Sequence, residues 1–300
     1  MLVSVCMCTY KRTHLAKTLD SVANLILLPN VEVEVVVVDN DKLKSGFAIV
    51  NNLQTNYPHT LIYCHEPKKN ISAARNAYLR EAKGEWVASL DDDEVADKYW
   101  LQYLLNAANE FNADVVFGVV KTIYPKGTPQ WIIDGGLLAR KWKATGTQVS
   151  SGATNCTLIK GSILAETDYN FDLSFGLTGG EDSQFFYRLH LKGFKLIVCK
   201  EAFVTELVQQ NRLNSKYIIK RAFQIGQTYS RYRYTADVSF VRKLLFVIIT
   251  ILKLNFHIFH AILALPFSKK VWFKPLTKAL DSLGKISFFC RKFKVELYKE

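Results

Sequence analysis

Apolar residues along the first 120 positions switch repeatedly between two spacings. Leu2–Cys8 (LVSVCMC) is a short apolar run of strand character that stops at the polar Thr9-Tyr10-Lys11-Arg12. Leu15, Leu19, Val22 and Leu25 then recur every three or four residues, the spacing of one helical face, ending near Pro29. Val31–Val38 (VEVEVVVV) alternates and then becomes wholly β-branched, as a strand covered on both faces does, and runs into Asp39-Asn40-Asp41. A helix around Ser45–Asn56, a strand at Leu61–Cys64, a helix at Ile71–Ala82 and a strand at Trp86–Leu90 follow, the last ending on Asp91-Asp92-Asp93-Glu94. A helix over Lys98–Phe111 and a strand over Asp114–Val120 complete the alternation. Repeated strand–helix–strand order predicts an α/β fold with a mostly parallel sheet and helices on both faces. Ligands of such sheets sit beyond the carboxyl ends of the strands, which here carry TYKR, DND and DDDE.

Past this alternation the pattern loosens. Residues from Pro125 to about Ser151 show no period, Thr154–Lys160 reads as a strand, and Asp182–Lys192 reads as a helix entered through Thr178-Gly179-Gly180-Glu181. Beyond Ser215 the chain is helical and basic, with no internal repeat or low-complexity linker. The expected division is residues 1–210 for the α/β domain and 211–300 for a helical basic region.

Composition narrows the classes. With 49% hydrophobic and 22% charged residues the chain is globular, which excludes disorder and a heptad rod. Six cysteines in 300 residues, without CxxC spacing, form neither a disulfide scaffold nor a structural zinc site. Cys6 and Cys8 share a strand face and read as small buried hydrophobes. A strand begins at Leu2 with no basic leader before it, so the thiols are expected to be reduced and the protein cytoplasmic. Charge divides sharply: up to Glu206 there are 21 Lys+Arg against 23 Asp+Glu, and from Leu207 onward 18 against 4.

Three consecutive aspartates at a strand end repel one another and raise each other's pKa. A divalent cation with hard oxygen ligands, Mg²⁺ or Mn²⁺, removes that penalty. In extended backbone Asp91 and Asp93 point to one side and Asp92 to the other. An acidic turn capping the next helix is the alternative reading.

VSVCMCTYKR, VVVVDND, NISAARN, WVASLDDDE and GGEDSQFFYRLHLKG, in that order, resemble the motif series of family 2 glycosyltransferases, whose GT-A fold is a Rossmann-like α/β domain. The likeness runs over roughly residues 1–235. With Pro129-Gln130-Trp131 and the GGED loop included, it is similar to bacterial enzymes that build surface polysaccharide or lipopolysaccharide. The resemblance implies an inverting transfer of sugar from a nucleotide-diphosphate donor, UDP being the common one, to a glycan or lipid-linked acceptor. It places Thr9, Tyr10 and Asp39 at the donor's base and ribose, and Arg75 at its ribose or phosphates, where a planar guanidinium suits the task. Asp91 and Asp93 become the metal-binding pair, Asp93 the direct ligand of Mn²⁺ or Mg²⁺, with Asp91 and Asp92 in donor contacts. Asp182 is implied as the general base and Glu181 as a contact to a sugar. A cap for the next helix is the alternative for Asp39, a surface salt bridge for Arg75, and a capped helix start for the acid pair.

Two positions depart from the family pattern. Asn70 stands where relatives have Gly before a helix, and Asn tolerates positive φ better than most residues. Glu206, in Ala202-Phe203-Val204-Thr205-Glu206, stands where many relatives have a metal-binding His; it is a candidate third ligand or a structural residue. Arg212, with Arg221 and Gly226 of KRAFQIG, fits the branch of the family with Glu at that place. Arg212 is a candidate for the diphosphate or for a charge partner of Glu206. A sugar-1-phosphate nucleotidyltransferase is the alternative enzyme, but it needs a glycine-rich loop after the first strand, and TYKR has no glycine. A non-catalytic glycan- or lipid-binding scaffold is the alternative outside enzymes.

Arg242–Pro266 contains LLFVIITIL, interrupted further on by Lys253, Asn255, His257 and His260. A spanning helix needs about 20 apolar residues, so an amphipathic or monotopic helix is the expectation. Trp272 and phenylalanines among Lys269, Lys270, Lys274, Lys278, Arg291 and Lys292 suit an anionic interface. That places the protein peripherally on the inner face of the cytoplasmic membrane; a packed helical subdomain is the alternative. No nucleic-acid motif is present.

Overall fold

The computed structural model describes residues 1–164, 170–234 and 238–290. The elements, in chain order, are β1 (Leu2–Thr9), α1 (Leu15–Ala23), β2 (Glu32–Asp39), α2 (Phe47–Gln54), β3 (Thr60–His65), α3 (Ile71–Glu81), β4 (Trp86–Ser89), β5 (Glu94–Ala96) and α4 (Trp100–Glu110). They continue with β6 (Val115–Ile123), α5 (Gln130–Gly135), β7 (Thr157–Lys160), α6 (Gly161–Leu164), α7 (Glu181–Leu191), β8 (Leu196–Leu207), α8 (Ser215–Tyr234), α9 (Phe240–Leu263) and α10 (Lys269–Phe289).

The strands form one eight-stranded sheet in the order β3-β2-β1-β4-β7-β6-β8-β5. β3, β2, β1 and β4 are mutually parallel. β7 runs antiparallel to β4 and to β6, and β5 is antiparallel to β8. The parallel register therefore stops at β4, and β6, which continues the strand–helix alternation in sequence, lies in the antiparallel half.

Side chains that alternate along β1 and β2 serve two cores. Val3, Val5, Met7, Val35 and Val37 pack with Leu15, Leu19 and Val22 of α1 and with Trp100, Leu101 and Leu104 of α4. Cys6, Val36 and Val38 face the other way, onto Ala74, Ala77 and Tyr78 of α3. The small residues of α3 let that helix lie close to the sheet. Under the antiparallel half, Val115, Phe117 and Ile159 meet Phe185, Phe186 and Leu189 of α7. All six cysteines are free, and Cys6 is buried as a small hydrophobe.

The chain divides into two compact units: Met1–Lys121 with Lys141–Leu177 and Glu181–Glu206, and Thr122–Arg140 with Thr178–Gly180 and Leu207 onward. The second unit thus takes in two earlier stretches that a cut at residue 210 leaves with the first. Within it α10 packs along both α8 and α9. Gly226 and Gly284 make the α8–α10 crossing close: a Cβ on Gly226 would lie 2.0 Å from the Asp281 carbonyl oxygen, and one on Gly284 2.0 Å from that of Phe223. Ile132 of α5, Ile218 of α8 and Phe273 of α10 build this unit's core. α9, at 24 residues, is long and apolar enough to cross a membrane by length and composition. Arg291 and Lys292 lie outside the described residues.

Candidate active site

Parallel strands bring their carboxyl ends to one edge, and β1, β2 and β4 deliver TYKR, DND and DDDE there. Thr9 pairs in register with Asp39, and Asp39 with His65. Asp39 is fully buried and anchors the loop that follows it. Its Oδ1 accepts the Asp41 N–H at 2.9 Å, and its Oδ2 accepts the Gly46 N–H at 2.7 Å and the Tyr63 hydroxyl at 3.0 Å. Because Gly46 is the residue before α2, this is the helix-entry geometry that competes with a direct base contact. Two ammonium groups lie over the Tyr10 ring, Lys11 Nζ 5.2 Å and Lys69 Nζ 5.4 Å from its centroid.

The acidic run is a turn, not a strand. β4 ends at Ser89, and the Glu94 N–H donates to the Asp91 carbonyl at 3.1 Å, so alternation does not govern the aspartates. Asp93 and Asp92 share one cation: Arg12 Nη1 lies 2.9 Å from Asp93 Oδ2, and its Nε 3.9 Å from Asp92 Oδ1. Asp92 also accepts the Thr9 hydroxyl at 2.7 Å. Burial pushes its carboxyl up to about 7, against the pull of Thr9 and Arg12. Asp91, the most exposed of the three, faces Arg75 instead, with Nη2 3.8 Å from its Oδ1. Glu94 is buried beneath the turn, where it accepts the Asp91 N–H and the Asn155 side-chain amide at 2.9 Å each.

Arg75 links this turn to the second acidic motif. It is buried, so it is no surface salt bridge, and its Nη1 binds Glu181 Oε1. Burial raises the Glu181 carboxyl, while Arg75 beside it lowers it and Asp182 raises it again. Glu181 Oε2 is buried without a hydrogen bond among the described residues. Asp182 is half-buried in the first turn of α7, accepts the Ser183 N–H at 2.6 Å, and lies close enough for its charge to act on Arg75. Gly179 and Gly180, with φ of 77° and 90°, hold the backbone that delivers the acid pair in a conformation that side chains disfavour.

Asn70 does not use its tolerance of positive φ. At φ −167° it is an extended N-cap whose side chain accepts the Ala73 N–H at 3.0 Å, the ordinary use of Asn at a helix start. Glu206 lies opposite Glu94 in the β5–β8 ladder, which brings a further carboxylate to the acidic turn. Arg212 ends a single 3-10 turn in the second unit. Arg221 Nη1 binds the Tyr217 hydroxyl at 3.0 Å within α8. Arg12 and Glu94 are the site residues that motif reading passes over. Their signals were a cation just after the first strand and a fourth acid in the DDDE run. Among the described residues no group of three or more His, Cys, Asp or Glu is arranged to hold a metal.

The sequence profile described as "Glycosyl transferase family 2" matches residues 4–166, spanning the strand-end residues from Thr9 to Glu94. The succinoglycan biosynthesis protein ExoM of Rhizobium meliloti (strain 1021) is 34% identical over 229 residues, covering 76% of this chain and 74% of that protein. A poly(ribitol-phosphate) beta-glucosyltransferase of Bacillus spizizenii is 26% identical over 206 residues, covering 66% of this chain and 31% of that protein. A crystal structure of S. aureus TarS 1-349 superposes with a TM-score of 0.55 at 16% identity, over 100% of this chain and 97% of that one, a likeness of fold. A profile running over more than half of the chain, joined by a relative matched over most of its length, shows that the chain belongs to glycosyl transferase family 2 and is a glycosyltransferase.

Proposed function

We propose that this glycosyltransferase moves a sugar, with inversion, from a nucleotide-diphosphate donor to a hydroxyl of a growing bacterial surface glycan. The observation that carries the reading is Arg75, which ties the DDDE turn to the Glu181-Asp182 pair and so gathers a donor-side and an acceptor-side acid around one cation. The names of the relatives point to cell-surface polymers as products. TarS, the fold neighbour, has been crystallised with UDP and with UDP-GlcNAc, which supports a nucleotide-sugar donor and favours UDP.

Thr9, Tyr10 and the loop held by Asp39 receive the base and ribose, with Asp92 anchoring Thr9. Asp182 takes the proton of the acceptor hydroxyl as that oxygen attacks the anomeric carbon in line, opposite the departing diphosphate. Arg75 offers guanidinium N–H groups to the phosphates, and Glu181 positions Arg75 rather than touching sugar itself. Arg212 is assigned to the diphosphate.

The oxygen donors near the turn are of the kind a hard divalent cation takes, although no three of them converge among the described residues. Asp91, Asp92 and Asp93 lie on the turn, faced by Arg12 and Arg75, and Glu206 pairs with Glu94 on the adjoining β5–β8 ladder. Mn²⁺ or Mg²⁺ would be held by Asp93 and Asp91, with Glu206 as a further oxygen donor, where Arg12 now neutralises Asp93. When bound, such an ion neutralises charge growing on the leaving diphosphate. The acceptor is read as lipid-linked and the enzyme as working at the inner face of the cytoplasmic membrane, because the second unit is both cationic and apolar.

The test is a melting series with UDP, GDP, ADP and CDP in Mn²⁺, followed by transfer from the matching labelled sugar nucleotide. A ligand present at 100 times its Kd stabilises by about 2.7 kcal/mol. One nucleoside diphosphate should raise Tm and its sugar should label the acceptor; no stabilisation by any of the four overturns the reading.

A further inference from the structure

α9 is apolar on both sides, unlike a helix of a water-soluble bundle. The face it turns inward carries buried Thr250 and Ala261 and half-buried Phe246, Val247, Leu254, His257 and Lys243, with Phe246 against the rings of Tyr229, Tyr234 and Phe289. Its outward faces carry Leu245, Ile248, Leu252, Phe256, Phe259 and Ile262, with Leu252 64% and Phe259 61% exposed. At about 100° per residue these six fall within roughly a third of the helix circumference, and Ile249, Ile251 and Ile258, exposed as well, widen the apolar arc to about half. Leu265 and Phe267, just past the helix end, are exposed as well. Soluble monomers rarely leave contiguous apolar patches larger than a few hundred Å² in water. Asn255, the polar residue within the arc, donates its side-chain amide to the Ile251 carbonyl of its own helix at 3.1 Å.

Three of the basic residues of α9 are set to one border of this arc. Arg242, Lys253 and His260 follow one another by 11 and 7 residues, close to whole numbers of turns, so they stack along a single edge. α10, packed along α9, adds the exposed Lys278. An apolar arc edged by a cationic row is complementary to a leaflet of anionic lipid, acyl chains against the arc and headgroups against the row.

We infer that the exposed face of α9 docks in the plane of an anionic phospholipid leaflet, with Arg242, Lys253, His260 and Lys278 at headgroup level. Lying in the plane follows from Lys253, which falls mid-helix. A span would carry it to the bilayer centre, where a lysine is strongly disfavoured. α10, packed along α9, would have to follow with Lys269, Lys270, Lys274, Lys278 and Lys285. A second copy of the chain packed antiparallel is the poorer occupant, because it would bring one cationic border against another. The inference rests on the proposed membrane-face location and names its docking surface; vesicle binding is read without turnover, so it and the transfer chemistry can each fail alone.

The experiment is sedimentation of the full chain with vesicles of phosphatidylglycerol and phosphatidylethanolamine, against vesicles of phosphatidylcholine alone. The anionic vesicles should bind at least tenfold more tightly. Leu252→Gln/Phe259→Gln should lose about tenfold with an unchanged melting temperature, and Lys253→Glu/Lys278→Glu should lose the preference for anionic lipid. In Phe259→Trp, lipids brominated near the headgroup should quench the added fluorescence more than lipids brominated near the chain ends. Binding unaffected by either double substitution overturns the inference, as does stronger quenching from the chain ends, which would mean a span. A dimer in solution that Leu252→Gln/Phe259→Gln dissociates also overturns it, by giving the face to a second copy.

Discussion

Arg75 and Glu181, 106 residues apart in sequence, form an ion pair buried in the first unit, and the other terminal nitrogen of Arg75 lies 3.8 Å from Asp91 Oδ1. One guanidinium therefore joins the start of α7 to the turn after β4. The pair is sheltered from water, so losing either member strands a charge where solvent cannot compensate it.

Breaking such a pair by removing one partner typically costs about 3–5 kcal/mol, whereas replacing both by apolar residues costs far less. Arg75→Met and Glu181→Leu should each lower urea stability by close to that amount. The double substitution should cost clearly less than the two added together. Additive losses in the double-mutant cycle would show the two residues uncoupled.

Asp182→Asn keeps the shape of the side chain and removes its basicity. Transfer should fall by about 10²–10⁴-fold, the usual contribution of a general base, while affinity for the nucleoside diphosphate stays within about twofold. Isothermal titration beside a radiolabel assay separates the two. A large loss of nucleotide binding would assign Asp182 to the donor instead.

Chelation should stop turnover, and Mn²⁺ or Mg²⁺ should restore it, with Asp93→Asn and Asp91→Asn raising the concentration needed. Full activity in EDTA would remove the cation from the scheme and leave Arg12 and Arg75 as the charges facing the diphosphate.

Gly226 is required by proximity. A Cβ there would fall 2.0 Å from a backbone oxygen that cannot rotate away, so Gly226→Val should destabilise by at least the ~1–3 kcal/mol typical of overpacking. Thermal melts followed by circular dichroism test this; an unchanged melt would mean that α8 and α10 part without cost.

His257 should make stability fall on acidification. Burial, together with Lys278, His260 and Lys253 and against Asp281, holds its pKa below the ordinary value. As pH drops through about 6.5, the unfolded chain takes up a proton that the folded chain refuses, so stability present above that pH is lost below it. His257→Gln should flatten the dependence of Tm on pH between roughly 7.5 and 5.5. An identical slope in the variant would place the titration elsewhere.

Much of the first unit was legible from periodicity. Leu15, Leu19 and Val22 form the buried face that their spacing announces, and β2 is covered on both faces, as its β-branched run predicts. β5 and α5, three and six residues long, were not legible, because β5 follows straight on from an acidic run and α5 sits in a stretch with no period, so neither completes a pattern that tells it from a loop. The reversal of direction at β4 was equally hidden, since β7 reaches its place through a long irregular stretch that carries no pattern.

By itself the sequence determined that TYKR, DND and DDDE meet at one edge, because consecutive parallel strands joined by helices must all end on the same side. It also determined that the last third is at once cationic and apolar. Tertiary structure alone decided which charge faces which: Arg12 takes Asp93 and Asp92, while Arg75 takes Asp91 and Glu181. That choice depends on a turn without periodicity and on helices packed from distant parts of the chain, and local spacing encodes neither. The same holds for α9, which is apolar over most of its surface, so only its packing partner selects the face that remains in the open.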